Sequence, residues 1–206
     1  MGTEVTRETI IIIPGARYLR SENPLAQGLI SSAYSAFNVE PDNSTEEDLW
    51  ICRLRNAGYT IVVCEWSGIM TPSSVTEASD RFLKLLRTTG ARKIIACSIG
   101  AHIAVSAFRN EPGPPLVISL AGVYRRRQAS VPHFDIRSDA DRFSDVAQAL
   151  INIFNLSGKD STIIVPLPDM RHDEFHYDQT IVSGPFRGKR ISDILKTYLK
   201  KTETKT

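Results

Sequence analysis

Ile94-Ile95-Ala96-Cys97-Ser98-Ile99-Gly100-Ala101-His102 is an apolar run that breaks at a serine held between two tiny residues. It reads as a buried strand turning sharply into a helix with Ser98 at the tip, the arrangement of a nucleophile elbow. The backbone at such a tip is strained, and the residues two before and two after the serine must be small for strand and helix to pass closely. Ala96 and Gly100 meet that condition, although glycine is usual at both places. Cys97 is the competing nucleophile, but its flanks at the same spacing are Ile95 and Ile99, too large for the turn. It reads instead as a small core residue on the strand.

Outward from this turn, short β-branched runs alternate with helix-like segments along almost the whole chain, the pattern of a parallel sheet covered on both faces. Six buried strands are expected, at Thr9–Ile13, Tyr59–Glu65, Arg92–Cys97, Leu116–Gly122, Val131–Arg137 and Ser161–Leu167. Capping boxes at Ser44/Glu47 and Ser74/Glu77 start two of the helices, and Gly58 and Gly90 stop them. Further helices are expected from the turn to about Arg109, from about Ser144 to Phe154, and from about Lys189 to Leu199. The fold class is therefore α/β: a three-layer, doubly wound sandwich of about six mostly parallel strands in a single domain spanning residues 1–206. One connection is long, from Gly15 to Ser44; it predicts either a helix on the sheet edge or a flap.

Composition narrows the function. The 206 residues are 42% apolar and 23% charged with a net charge of +2, which suits a globular core. No basic run is interleaved with aromatics, so nucleic acid is not an expected partner. No apolar stretch approaches the roughly 20 residues needed to span a bilayer. The charged opening residues lack the pattern of a signal peptide, and Cys52, Cys64 and Cys97 are an odd number without metal-ligand spacing. Buried thiols in a reducing, cytoplasmic setting are the expectation, with no metal and no organic cofactor.

A serine that attacks an acyl carbon needs a base, an acid to orient that base, and donors for the oxyanion. The last strand ends in Pro166-Leu167-Pro168-Asp169-Met170-Arg171-His172, which puts His172 just past a carboxyl end. The elbow also lies at a carboxyl end, so in a parallel sheet the two converge. The preceding strand leads into Ser138-Asp139-Ala140-Asp141-Arg142-Phe143-Ser144 on that same edge, where Asp141 is the expected acid and Asp139 the runner-up. His176 competes with His172. His102 and His133 read as core or supporting histidines, and Asp145 as a first-turn residue favoured by the helix dipole.

Val131 to Asp141 resembles the strand and acid loop of the α/β-hydrolase superfamily, and the order Ser98, Asp141, His172 is that family's order of nucleophile, acid and histidine. Ile11-Ile12-Ile13-Pro14-Gly15-Ala16-Arg17 resembles its strand and oxyanion loop, with Pro14 where many members carry histidine. Asn56 to Val63 resembles its passage from helix to strand. The resemblance covers roughly residues 9–200. It implies a member without the first two strands or a cap, with Ala16 and Ile99 N–H groups as the oxyanion hole and a shallow, open site. The activity implied is a serine hydrolase acting on a small-molecule carboxylic ester or thioester through an acyl-enzyme. Acyl transfer by the same triad and a non-catalytic binding module on the same fold are the alternatives.

Arg17, Tyr18, Trp66 and Tyr124 fall in loops near strand ends and are expected to contact substrate, with Met70 beside them. The run Arg125-Arg126-Arg127 rises on the same edge. It reads either as a solvated loop or, helped by Arg17 and Arg20, as an attraction for a substrate carrying phosphate or carboxylate.

Overall fold

The computed structural model describes residues 8–15, 49–67, 71–108, 116–124, 132–145 and 162–201. Six strands form one all-parallel sheet: β1 (Thr9–Ile13), β2 (Thr60–Val63), β3 (Lys93–Cys97), β4 (Leu116–Leu120), β5 (His133–Ser138) and β6 (Ile163–Leu167). Their order is β2-β1-β3-β4-β5-β6. The chain thus builds outward to β2, returns past β1 and continues the other way, so the order reverses between β1 and β3. In open parallel sheets the crevice outside the carboxyl ends at such a reversal is where ligands bind. The register brings Ile13 beside Ala96 and Cys97 beside Leu120, which places the ends of β1, β3 and β4 together.

The alternation of strand side chains divides the core in two. Ile10, Ile12, Ile95, Ile118, Ile136 and Leu167 point to one face, where α1 (Trp50–Asn56) and α4 (Ile191–Lys200) cover them through Trp50, Leu54, Ile194 and Leu195. Ile11, Ile13, Ile94, Ala96 and Val117 point to the other, under Ala78 and Phe82 of α2 (Pro72–Thr89) and Ala101 and Ile103 of α3 (Gly100–Ala107).

The expected strands are present, β1 with the expected bounds and the others with ends shifted by at most two residues, except that not all are buried. β1, β3 and β4 are inside, but the outermost strands are not: β2 exposes Thr60 and Val63, and β6 exposes Ile163, Ile164 and Pro166. A strand at the margin of a sheet has no neighbour on one side to cover it.

The helix ends carry a second correction. Helix α2 is capped by Thr71, whose side chain accepts from Ser74 N–H, with Pro72 in the first turn; Ser74 and Glu77 lie inside it. Threonine followed by proline is the stronger start signal, because proline's missing N–H costs nothing in the first turn. Gly90 ends this helix at φ 64° as expected. The Ser44/Glu47 box, the long connection after Gly15 and most of the helix expected to reach Phe154 lie outside the described residues; that helix starts at residue 142.

Candidate active site

Ser98 directly follows β3 and has φ 48°, a left-handed backbone that a serine adopts only when its surroundings impose it. The surroundings are visible. Its N–H donates to Leu120 O at 2.9 Å, and its carbonyl accepts from Val123 N–H at 3.0 Å and Ala101 N–H at 3.1 Å. A Cβ on Gly100 would lie 2.4 Å from Ile13 O, so α3 can leave the turn only past a glycine. A Cβ on Gly15 would come within 3.2 Å of Ser98 Cβ, which ties the loop after β1 closely to the serine.

His172 follows β6 and reaches this serine, its Nε2 3.0 Å from Ser98 Oγ. Its loop is fastened at the root, where Ser138 Oγ accepts from Met170 N–H at 2.9 Å and from Ala140 N–H at 3.1 Å. On the far side of the ring, Nδ1 is 3.0 Å from Asp141 Oδ2. An ionised carboxylate only accepts, so the ring proton on Nδ1 faces Asp141 and Nε2 is left to accept from the serine hydroxyl. Phe143 packs tilted against the imidazole with ring centroids 4.5 Å apart. The His172 side chain is 12% exposed and that of Asp141 is wholly buried.

Asp141 is also the cap of the helix it precedes. Its Oδ1 accepts from Ser144 N–H at 3.0 Å, and its Oδ2 accepts from Ser144 Oγ at 2.6 Å. Burial pushes the Asp141 carboxyl up, but the bonds from His172 and Ser144 outweigh it and hold it below the usual carboxylate range. Ser144 Oγ is 3.0 Å from His172 Nδ1 and 3.1 Å from Ala121 O, so it touches acid, imidazole and strand end at once. Sequence reasoning missed this residue. The signal was the spacing Asp141-x-x-Ser144, a helix-start pattern in which the acid itself is the cap.

Ser98, Asp141 and His172 are thus brought together, and Asp139 is not: it is exposed in the turn before Asp141. Cys97 is buried, and burial pushes its thiol up to about 12, which keeps it protonated. Among the described residues Ile99 N–H meets no acceptor, which leaves it available beside Ser98. Ala16, the other expected oxyanion donor, lies outside the described residues, as do Arg17, Tyr18, Arg20, Met70 and Arg125 to Arg127. Trp66 is half-buried and its indole N–H donates to Pro14 O at 3.0 Å, so it holds the loop after β1.

Tyr124 requires a correction. It is 3% exposed, packs edge-on against His133 with centroids 4.7 Å apart, and donates to Asp135 Oδ2 at 3.3 Å. Its hydroxyl has a buried carboxylate to satisfy, which draws it away from a substrate. His133 is buried as a core residue, and His102 lies in α3. Ser98 is part-exposed in a shallow recess lined by Cys97, Leu120, Ala121, His172 and Phe175. Among the described residues no helix is long and apolar enough to cross a membrane.

No protein-family model and no curated protein matches this sequence. Solved structures do resemble the chain. A carboxylesterase of the ammonia-oxidising thaumarchaeon Nitrososphaera gargenis superposes with a TM-score of 0.57 at 12% identity, over 98% of this chain and 93% of that one. An uncharacterised Bacillus cereus protein gives 0.51 at 11% identity, over 100% of this chain and 62% of that one. A lidless α/β serine hydrolase of Xanthomonas campestris gives 0.44 at 17% identity, over 85% and 77%. With its six parallel strands in this order and a strained serine after β3, the chain has the α/β-hydrolase fold.

Proposed function

We propose that the chain is a serine hydrolase that cleaves a carboxylic ester or thioester through an acyl-enzyme. The observation that carries this reading is the unbroken relay from Ser98 Oγ to His172 Nε2 and from His172 Nδ1 to Asp141 Oδ2, each step 3.0 Å long. Ser98 Oγ attacks the acyl carbon while His172 Nε2 takes its proton. Asp141 holds the Nδ1–H tautomer and stabilises the imidazolium that forms. The tetrahedral oxyanion accepts from Ile99 N–H and, on the family pattern, from Ala16 N–H. His172 then protonates the leaving alcohol or thiol, and water deacylates the serine by the same route. The superposition on a carboxylesterase at a TM-score of 0.57 supports this reading at the level of the fold alone.

Covalent capture tests it. A fluorophosphonate should label Ser98 and no other residue, and short p-nitrophenyl esters should be turned over. Ser98→Ala and His172→Ala should lose both properties, and His176→Ala should retain them. A folded wild-type protein that neither labels nor hydrolyses would refute the hydrolase reading in favour of a binding module.

A further inference from the structure

Beneath the site, on the face of the sheet away from α1 and α4, lies a second polar cluster that the proposed reaction does not use. Asp135 of β5 is fully buried, with Oδ1 accepting from Ser119 Oγ at 2.6 Å and from Gly122 N–H at 3.0 Å. Its Oδ2 accepts from Arg137 Nε at 2.9 Å and pairs with Arg137 Nη2 at 2.7 Å. The same Nη2 donates to Gly122 O at 2.7 Å. Gly122 is therefore gripped at both its N–H and its carbonyl by one ion pair. A Cβ there would fall 2.5 Å from Ser119 Oγ and 2.7 Å from Asp135 Oδ1, so the grip requires glycine.

The residues on either side of Gly122 hold the site. Leu120 O accepts from Ser98 N–H, Val123 N–H donates to Ser98 O, and Ala121 O lies 3.1 Å from Ser144 Oγ. Ala121 has φ 50°, so this segment carries a strained residue next to the strained serine it supports. Strain of that kind persists only where neighbouring bonds over-determine the backbone, and the ion pair supplies two such bonds at the one residue between Ala121 and Val123. Burying a carboxylate and a guanidinium is expensive in stability, and a hydrophobic pair would commonly serve a core as well. What this pair adds is a fixed peptide.

We infer that Asp135 and Arg137 are positioning residues for the nucleophile, acting through the clamped peptide of Gly122 to hold Ser98 and Ser144 in register with His172. This rests on the serine-hydrolase reading above. Arg137→Lys is the decisive variant: it keeps a cation beside Asp135, so the protein should fold, but an ammonium lacks the fork that spans both Asp135 Oδ2 and Gly122 O. Phe82→Leu, on the core face of α2 where Phe82 packs edge-on against Phe108, is the control for lost stability alone.

The measurement is the second-order rate of fluorophosphonate capture at Ser98, together with amide hydrogen exchange at Ser98 and Val123. The expected result is a rate about 10- to 100-fold lower in Arg137→Lys with faster exchange at both amides, while Phe82→Leu reacts like wild type. If Arg137→Lys reacts at the wild-type rate, or if Phe82→Leu slows as much at equal melting temperature, the positioning role is overturned and the hydrolase reading stands. If wild type itself is inert, the hydrolase reading falls and takes this role with it.

Discussion

Two clusters in this protein contain serine, histidine and aspartate, and they are wired in opposite order. In the first, His172 sits between Ser98 and Asp141, so the imidazole can take the serine proton on Nε2 while the carboxylate holds its Nδ1–H. In the second, Ser119 sits between His133 and Asp135: its hydroxyl donates straight to Asp135 Oδ1 and lies 2.8 Å from His133 Nε2. The second serine has spent its proton on a carboxylate, and Ser119 and Asp135 are 0% exposed. The first stands on a strained turn in a shallow recess. The comparison teaches that residue type does not make a nucleophile; the position of the imidazole in the relay and the exposure of the hydroxyl do.

The largest effect should come from exchanging the serines' roles by deletion. Ser98→Ala is expected to lower ester turnover by about 10⁴-fold or more, whereas Ser119→Ala should still be captured at Ser98 by a fluorophosphonate and should instead lose about 1–3 kcal/mol of stability. Denaturant melts and labelling on the same samples check both. If Ser119→Ala abolished capture at full folding, the two clusters would not be separable in this way. Next in size is the acid. Asp141→Asn should cost about 10³- to 10⁴-fold in kcat with an intact fold, because an amide no longer enforces the Nδ1–H tautomer of His172. A drop below tenfold would remove Asp141 from the relay.

A smaller effect is expected at Ser144, which has no counterpart role in the buried cluster. Ser144→Ala removes the 2.6 Å bond to Asp141 and should lower kcat by about tenfold with KM little changed, the size of one hydrogen bond of about 1.4 kcal/mol. Steady-state kinetics distinguish this from a binding defect, which would raise KM instead.

The smallest effect is in the acid melt. The Asp141 carboxyl is held below its ordinary value, so its folded pKa lies under its unfolded one. Its ionised form therefore stabilises the fold above about pH 4, and that contribution fades as pH falls through the lowered value. The melting-temperature gap between wild type and Asp141→Asn should accordingly be widest near pH 6 and shrink toward pH 3. A gap that is constant across this range would contradict the assignment.

The first cluster was legible in the sequence, and the second was not, for physical reasons. Ser98 is announced by Gly100, which has no alternative at 2.4 Å from a carbonyl, and by the isoleucines that make β3 a buried strand. Asp141 and His172 follow from the parallel sheet, which brings every carboxyl end to one edge. In β5 the alternation His133-Phe134-Asp135-Ile136-Arg137 places three polar side chains on one face, a pattern that by itself describes a solvated surface. In the fold, Ser119, Tyr124 and Gly122 satisfy these groups from the neighbouring strand and the residues after it. The place of Tyr124 in the chain points it toward the site, but in the fold its hydroxyl turns to the buried carboxylate of Asp135. Ser144 was readable as a helix start, but its hold on the acid depends on Asp141 turning inward.

The indole of Trp66 touches the loop after β1 through the carbonyl of Pro14, and the only other tryptophan, Trp50, is buried at the start of α1 with its N–H on Phe175 O. The protein thus carries its own optical probe. In a Trp50→Phe background the emission of a single chromophore would report, without any added dye, each time occupation of the recess turned the peptide that Trp66 holds.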